Sequence, residues 1–177
     1  GGWTLIVADY SQIELRLLAH MSEDPVLVDA FRRGDDIHTR TAAEVMGVPP
    51  MMVTKEARNA AKAVNFGIVY GISGFGLAAN LGIPRKEAEA YIKGYFERYS
   101  GVKKFIDASV AQTRQTGIAK TLLGRERPIP DINSRNPNAR GFAERTAMNS
   151  PIQGTAADLI KLAMVRIDRK LRGRQAK

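Results

Sequence analysis

The chain has 177 residues, 44% of them hydrophobic and 25% charged, enough apolar side chain for one ordinary soluble core. It contains no cysteine, which excludes disulfides and thiolate metal sites, and no apolar run long enough to span a membrane. The formal charge of +9 and the isoelectric point near 10.0 fit either a polyanionic partner or a basic solvated surface, and charge alone does not choose between them.

The start, Gly1-Gly2-Trp3, shows no basic region followed by an apolar stretch and no initiator Met, so the chain reads as a piece of a longer protein without a visible signal peptide. The absence of cysteine is compatible with a cytoplasmic, bacterial-type home. Residues 3–8 (WTLIVA) are apolar and β-rich and predict a buried strand that ends at Asp9. Residues 11–20 predict a helix with Ser11 as its N-cap. Residues 21–50 predict short helices broken by Pro25, Gly34, Gly47, Pro49 and Pro50. Thr54 is placed to cap a helix over 55–70 that Gly71 ends. Pro84 opens a helix over 85–99, and 102–115 predicts the next. Residues 117–130 carry β-type residues on both sides of Leu123-Gly124-Arg125, the pattern of a hairpin. Residues 136–170 read as mostly helical, interrupted at Ser150-Pro151. The fold class expected is α+β, predominantly helical, with one core strand and one small hairpin.

Two constellations carry chemistry. Asp9 stands where the predicted strand meets a helix, a rigid mount for a carboxylate that faces a cleft and a suitable ligand for Mg²⁺. On position alone, an aspartate that only begins a turn is the simpler alternative. Glu14 also has two readings, because Ser11-x-x-Glu14 is a capping box.

The second constellation lies on the helix over 55–70. Arg58, Lys62, Phe66 and Tyr70 are spaced by four, so each advances about 40° beyond a full turn and about 6 Å along the axis. Ala57, Ala61, Val64 and Ile68 cluster on the nearly opposite face, the face to bury. Two cations followed by two aromatics suit a triphosphate, then a sugar or base. A basic surface with two packed aromatics is the alternative. Gly67 inside this helix costs about 1 kcal/mol relative to Ala and calls for close approach of a base or backbone.

Together these segments resemble family A DNA polymerases. DYSQIELR at 9–16 is similar to their motif A, and RNAAKAVNFGIVYG at 58–71 to their motif B. DIHT at 36–39 and QGTAAD at 153–158 also match family segments. The resemblance runs over essentially the whole chain. It implies fingers plus an incomplete palm: residues 1–20 as palm strand and helix, 21–140 as fingers, and 141–177 as helices returning to the palm.

The resemblance also implies site roles. Asp9, with the Tyr10 carbonyl, would bind two Mg²⁺ ions, for which Mn²⁺ is a substitute. Gln12 and Glu14 would face the nucleotide, with Glu14 blocking a ribose 2′-hydroxyl. His38, Arg58 and Lys62 would hold the triphosphate, Lys62 also serving catalysis. Phe66 would pack on the incoming sugar and base, and Tyr70 would guard the templating position. Arg145, Asn149 and Gln153, again spaced by four, would contact primer and template, although spacing alone reads them as the polar face of a helix. The partners implied are primer–template DNA and dNTPs, with no membrane and a monomeric parent. The family's second catalytic aspartate lies in a His-Asp-Glu segment, and no His-Asp pair occurs in this sequence. The chain alone is therefore expected to be inactive. A single-subunit RNA polymerase shares parts of motifs A and B, but Glu14 and the Ser-Gln-Ile-Glu run argue against it. A non-catalytic helical nucleic-acid-binding module would leave Asp9 and Phe66 unexplained.

Overall fold

A computed structural model describes residues 4–172. Among them eight α-helices and one two-stranded hairpin form the fold. The helices are α1 (Ile13–Ser22), α2 (Pro25–Arg33), α3 (Ile37–Met46), α4 (Lys55–Val69), α5 (Gly74–Leu81), α6 (Arg85–Arg98), α7 (Ser100–Thr116) and α8 (Pro137–Arg172). Strands β1 (Ile118–Lys120) and β2 (Glu126–Pro128) pair antiparallel, with Ala119 opposite Arg127. No described helix is long and apolar enough to cross a membrane.

Local signals set most helix ends. Thr54 accepts a hydrogen bond from Ala57 N at 3.2 Å and caps α4 as expected. Gly34 and Gly47 end α2 and α3 in the left-handed conformation. The end of α4 is a Schellman motif: Ile72 N donates to the Gly67 carbonyl at 2.8 Å and Gly71 N to the Ile68 carbonyl at 3.1 Å. This also corrects the reading of Gly67. A Cβ there would meet Ile72 Cγ2 at 2.5 Å, so within the chain the close neighbour is a side chain folded back by the turn rather than backbone.

Three further expectations fail for physical reasons. Residues 4–10 form no strand, and Leu5, Ile6 and Val7 are 89%, 85% and 83% exposed. A strand needs a ladder partner, and the two described strands already pair with each other. The expected core strand of the palm is thus not formed; Trp3 lies outside the described residues. The capping box also fails. Gln12, left-handed with φ 55°, takes the cap position of α1 without a side-chain bond. Ser11 stands one residue too early and instead offers its carbonyl to Arg16 Nε at 3.0 Å. Finally, α8 runs unbroken through Pro151. A proline inside a helix costs about 3 kcal/mol. Ser150, Pro151 and Ile152 are buried, so packing offsets that cost.

Helix α5 was not expected from the sequence, whose residues 74–81 (GFGLAANL) include two glycines. Ser73 caps it by accepting from Gly76 N at 3.1 Å, and Leu77 is fully buried as α5 packs on α6.

The main core gathers Leu15 and Leu18 of α1, Leu27 of α2, Ile37 of α3, Val64 and Ile68 of α4, Leu77, Tyr95 and Ile152. Asp24 ties its periphery together. One carboxylate oxygen accepts from Val26 N and Leu27 N at 3.1 Å each, capping α2, and the other accepts from Gly101 N of α7 at 2.8 Å. A smaller core of Ala119, Ile129, Ile132, Ala143 and Ala147 seats the hairpin on α8. The hairpin tip is pinned there by Asp158, which accepts from Thr121 Oγ1 and Arg125 Nε at 2.8 Å each.

Candidate active site

Helix α4 packs its small and apolar face inward as its periodicity requires: Ala61, Val64 and Ile68 are buried. Its outer stripe borders a cleft of about 710 Å³. Lys62 and Phe66 line this cleft from α4, Tyr70 from its C-cap, Asn80 from α5 and Arg145 from α8. Lys62, Phe66 and Tyr70 thus share one space with Arg145, some eighty residues further along the chain, whereas Arg58, Asn149 and Gln153 do not line it. Phe66 is 39% and Tyr70 44% exposed, so both rings keep a free face.

The two cations of the stripe differ. Arg58 is held by Asp36 through a bidentate pair, Nη2–Oδ2 at 2.7 Å and Nε–Oδ1 at 3.1 Å. Asp36 also caps α3 by accepting from Thr39 N at 2.7 Å. The Arg58 guanidinium, aided by the Thr39 amide and opposed by partial burial, holds the Asp36 carboxyl far below the usual carboxylate range. Lys62 is exposed and has no carboxylate partner among the described residues, and the same holds for Arg145. The cleft therefore contains unneutralised cations.

Tyr70 joins three helices. Its hydroxyl donates to Glu14 of α1, at 3.1 Å to Oε2 and 3.4 Å to Oε1. Burial raises the Tyr70 pKa above its ordinary value, Gln153 of α8 pulls it down, and Glu14 pushes it up. Glu14 is thus fixed by a long-range bond rather than by its own helix start. Asn149 lies half-buried on α8 between Arg145 and Gln153.

His38 does not line the cleft. It is 4% exposed, and its ring lies 5.9 Å from that of Phe66, tilted by 40°. Its Nδ1 sits 3.1 Å from Asn65 Nδ2. Asn65 is a residue the sequence reading passed over; the available signal was a polar amide on the face of α4 that is otherwise apolar. Burial, more than any neighbour, lowers the His38 pKa; Arg58 and Lys62 add to this and Asp36 opposes it. A histidine with a folded pKa below its unfolded value near 6.5 stabilises the fold above that value, and the contribution is lost as pH falls through the folded pKa. The denaturation midpoint is expected to fall as pH drops below about 6.5, before carboxylates titrate near 4, and to fall less in His38→Gln. Identical pH slopes for the two proteins between pH 6.5 and 5 would contradict this.

Asp9 and Tyr10 lie outside regular structure, and Gln12 is the cap residue of α1. Asp9 is exposed, and Tyr10 lines a second groove, about 810 Å³, with Leu17, Leu159 and Leu162. No group of three or more His, Asp or Glu side chains suited to a metal occurs among the described residues. Asp9 is a single candidate carboxylate, and one carboxylate with one carbonyl does not make a two-ion site.

The helical body with its small hairpin carries a cleft lined by Lys62, Arg145 and the rings of Phe66 and Tyr70. Comparison with known proteins identifies the family. The family described as DNA polymerase family A matches residues 1–177, and the chain belongs to that family. It is 58% identical over 174 residues to DNA polymerase I of Lactococcus lactis subsp. cremoris, covering 98% of this chain and 20% of the relative. It is 60% identical over 168 residues to DNA polymerase I of Streptococcus pneumoniae, covering 94% of this chain and 19% of the relative. The chain thus spans about a fifth of the length of these curated relatives. Among solved structures it is similar to the POL domain of Pol1 from M. smegmatis in complex with DNA primer-template and dNTP, with a TM-score of 0.89 and 43% identity, covering 94% of this chain and 30% of that one. The resemblance is therefore to the polymerase domain of DNA polymerase I.

Proposed function

We propose that these residues form the nucleotide-binding part of a template-directed DNA polymerase, with 21–140 as fingers and 1–20 and 141–177 as the adjoining palm. The observation that carries the reading is the cleft in which Lys62, Phe66, Tyr70 and Arg145 converge while Tyr70 holds Glu14. The M. smegmatis relative, solved with primer-template and dNTP, supports it.

Lys62 is the cation free to meet a triphosphate, and Arg58 joins it by exchanging its bond to Asp36 for one to phosphate. Phe66 offers its ring to the sugar and base of the dNTP. Tyr70 closes the cleft at the templating position, and Gln12 lies beside Glu14 at the start of α1. Arg145, Asn149 and Gln153 present donors to the primer–template backbone. His38 lies behind Phe66 and reaches the triphosphate when Phe66 turns to stack on a base. Family A DNA polymerases use Mg²⁺. Asp9 with the Tyr10 carbonyl is this chain's candidate contribution, and the described residues do not complete the site, so we infer that the 177 residues alone do not turn over. Template-directed extension by the purified chain would refute that.

Glu14 provides the test of the whole reading. Its carboxylate is held in place by Tyr70, which makes it a fixed obstacle to a 2′-hydroxyl. In the complete polymerase, Glu14→Ala is expected to raise ribonucleotide incorporation relative to deoxyribonucleotide by about 10- to 100-fold, the size of removing 1.4–2.8 kcal/mol of discrimination. An unchanged ratio would leave Glu14 as no more than a partner of Tyr70.

A further inference from the structure

Beneath the cleft runs a buried polar chain that no element of the proposed reaction uses directly. Asn65 and Thr41 are completely buried, Tyr99 likewise, and His38 nearly so. Asn65 Nδ2 lies 3.1 Å from His38 Nδ1 and 3.1 Å from Thr41 Oγ1, and Asn65 Oδ1 lies 3.2 Å from Thr41 Oγ1. Thr41 Oγ1 in turn lies 3.3 Å from the Tyr99 hydroxyl. Four side chains from α3, α4 and the α6–α7 junction are thus linked in one line. On the inward face of α4, where Ala61, Val64 and Ile68 are apolar, an amide is tolerated only because its groups are paired.

We propose that Asn65 is a positioning residue: by donating to His38 Nδ1 it fixes His38 as the Nε2–H tautomer, so that His38 presents a hydrogen-bond donor to the triphosphate. The inference rests on the role of His38 given under Proposed function and adds the residue that sets its proton.

The chemistry runs in one direction. A ring nitrogen that accepts a hydrogen bond carries no proton, so the proton of a neutral imidazole sits on the other nitrogen. His38 Nε2 has no hydrogen-bond partner among the described residues. The reversed amide would set its carbonyl against Nδ1 and require a proton there. Nε2 would then turn a lone pair toward an anion, or the ring would have to be charged, which burial and the nearby Arg58 and Lys62 disfavour. Thr41 Oγ1 lies within reach of both amide atoms, 3.1 Å from Nδ2 and 3.2 Å from Oδ1, so it partners either orientation, and the contact with His38 Nδ1 is the one that distinguishes them.

The chain has two histidines, so long-range ¹H–¹⁵N NMR of the 177-residue protein assigns both once His38→Gln removes one set of signals. The expected result at pH 7.5 is a His38 whose Nδ1 is unprotonated and whose Nε2 bears the proton. Asn65→Asp, which places an acceptor against Nδ1, is expected to move the proton to Nδ1. In the complete polymerase, Asn65→Asp is expected to raise KM for dNTP about 10-fold, with a smaller change in kcat, since a donor to a charged group is lost. In a His38→Gln background the same substitution is expected to add less than about 2-fold. A wild-type His38 protonated on Nδ1 would overturn the proposal, and that spectrum decides even if the Asp variant fails to fold. A full Asn65→Asp effect in the His38→Gln background would also overturn it, since Asn65 would then act by another route. If the tautomer is as expected but His38→Gln leaves the dNTP KM unchanged, the triphosphate role of His38 falls, and only the assignment of its proton to Asn65 stands.

Discussion

Lys62→Ala in the complete polymerase is expected to lower kcat/KM for dNTP incorporation by about 10²–10³, the loss of one preorganised electrostatic partner, or about 2.7–4 kcal/mol of transition-state stabilisation. The structure supplies the reason that Lys62 rather than Arg58 carries this expectation. Arg58 begins with its guanidinium engaged by Asp36, so part of whatever it gains from phosphate is offset by the broken pair. Lys62 begins exposed and without a carboxylate partner among the described residues, in a cleft that also holds the Phe66 ring. Its charge is fully available as negative charge shifts toward the leaving group. Single-turnover incorporation beside a primer–template titration separates the roles. A kcat/KM within a few-fold of wild type, or a loss of DNA affinity matching the loss of activity, would remove Lys62 from the triphosphate site.

Asp24→Ala is expected to destabilise the fold by about 2–4 kcal/mol. Two amides at the start of α2 lose their cap, worth about 1 kcal/mol, and the half-buried Gly101 amide is left unpaired, at about 1–3 kcal/mol. Asp24 is 1% exposed, so water does not readily replace it. Its second oxygen bridges to α7, and Gly101 approaches so closely that a Cβ there would meet the Asp24 Cα at 2.9 Å. Asp24→Asn keeps one acceptor and is expected to lose less. Urea denaturation checks both: the midpoint should fall with the slope unchanged. A loss under about 0.5 kcal/mol for the alanine variant would show that α2 and α7 are held together by apolar packing alone.

Much of this molecule was legible before any tertiary contact was known, and what was legible is local. Thr54, Gly34, Gly47 and Gly71 act within one turn of the helix they start or stop, so their meaning travels with a few neighbouring residues. The stripe Arg58, Lys62, Phe66, Tyr70 follows from 3.6-residue geometry, and its exposure with Ala61, Val64 and Ile68 buried was already implied by the spacing. The motifs around Asp9 and along 58–71 were likewise sufficient to name the family to which the chain belongs.

What the tertiary structure decided was every pairing across distance. Asp36 and Arg58 are 22 residues apart, His38 and Asn65 are 27, and Glu14 and Tyr70 are 56, and no periodicity links such positions. Residues 4–8 have the composition of a strand, yet a strand exists only where another chain segment completes its ladder, and none of those described does. Pro151 marks a break by propensity, yet its burial with Ser150 and Ile152 keeps α8 continuous. Sequence periodicity determined which side chains share a helix face; only the packing of α1, α3, α4 and α8 decided which faces meet, because that choice is made by burial and by partners far away in the chain.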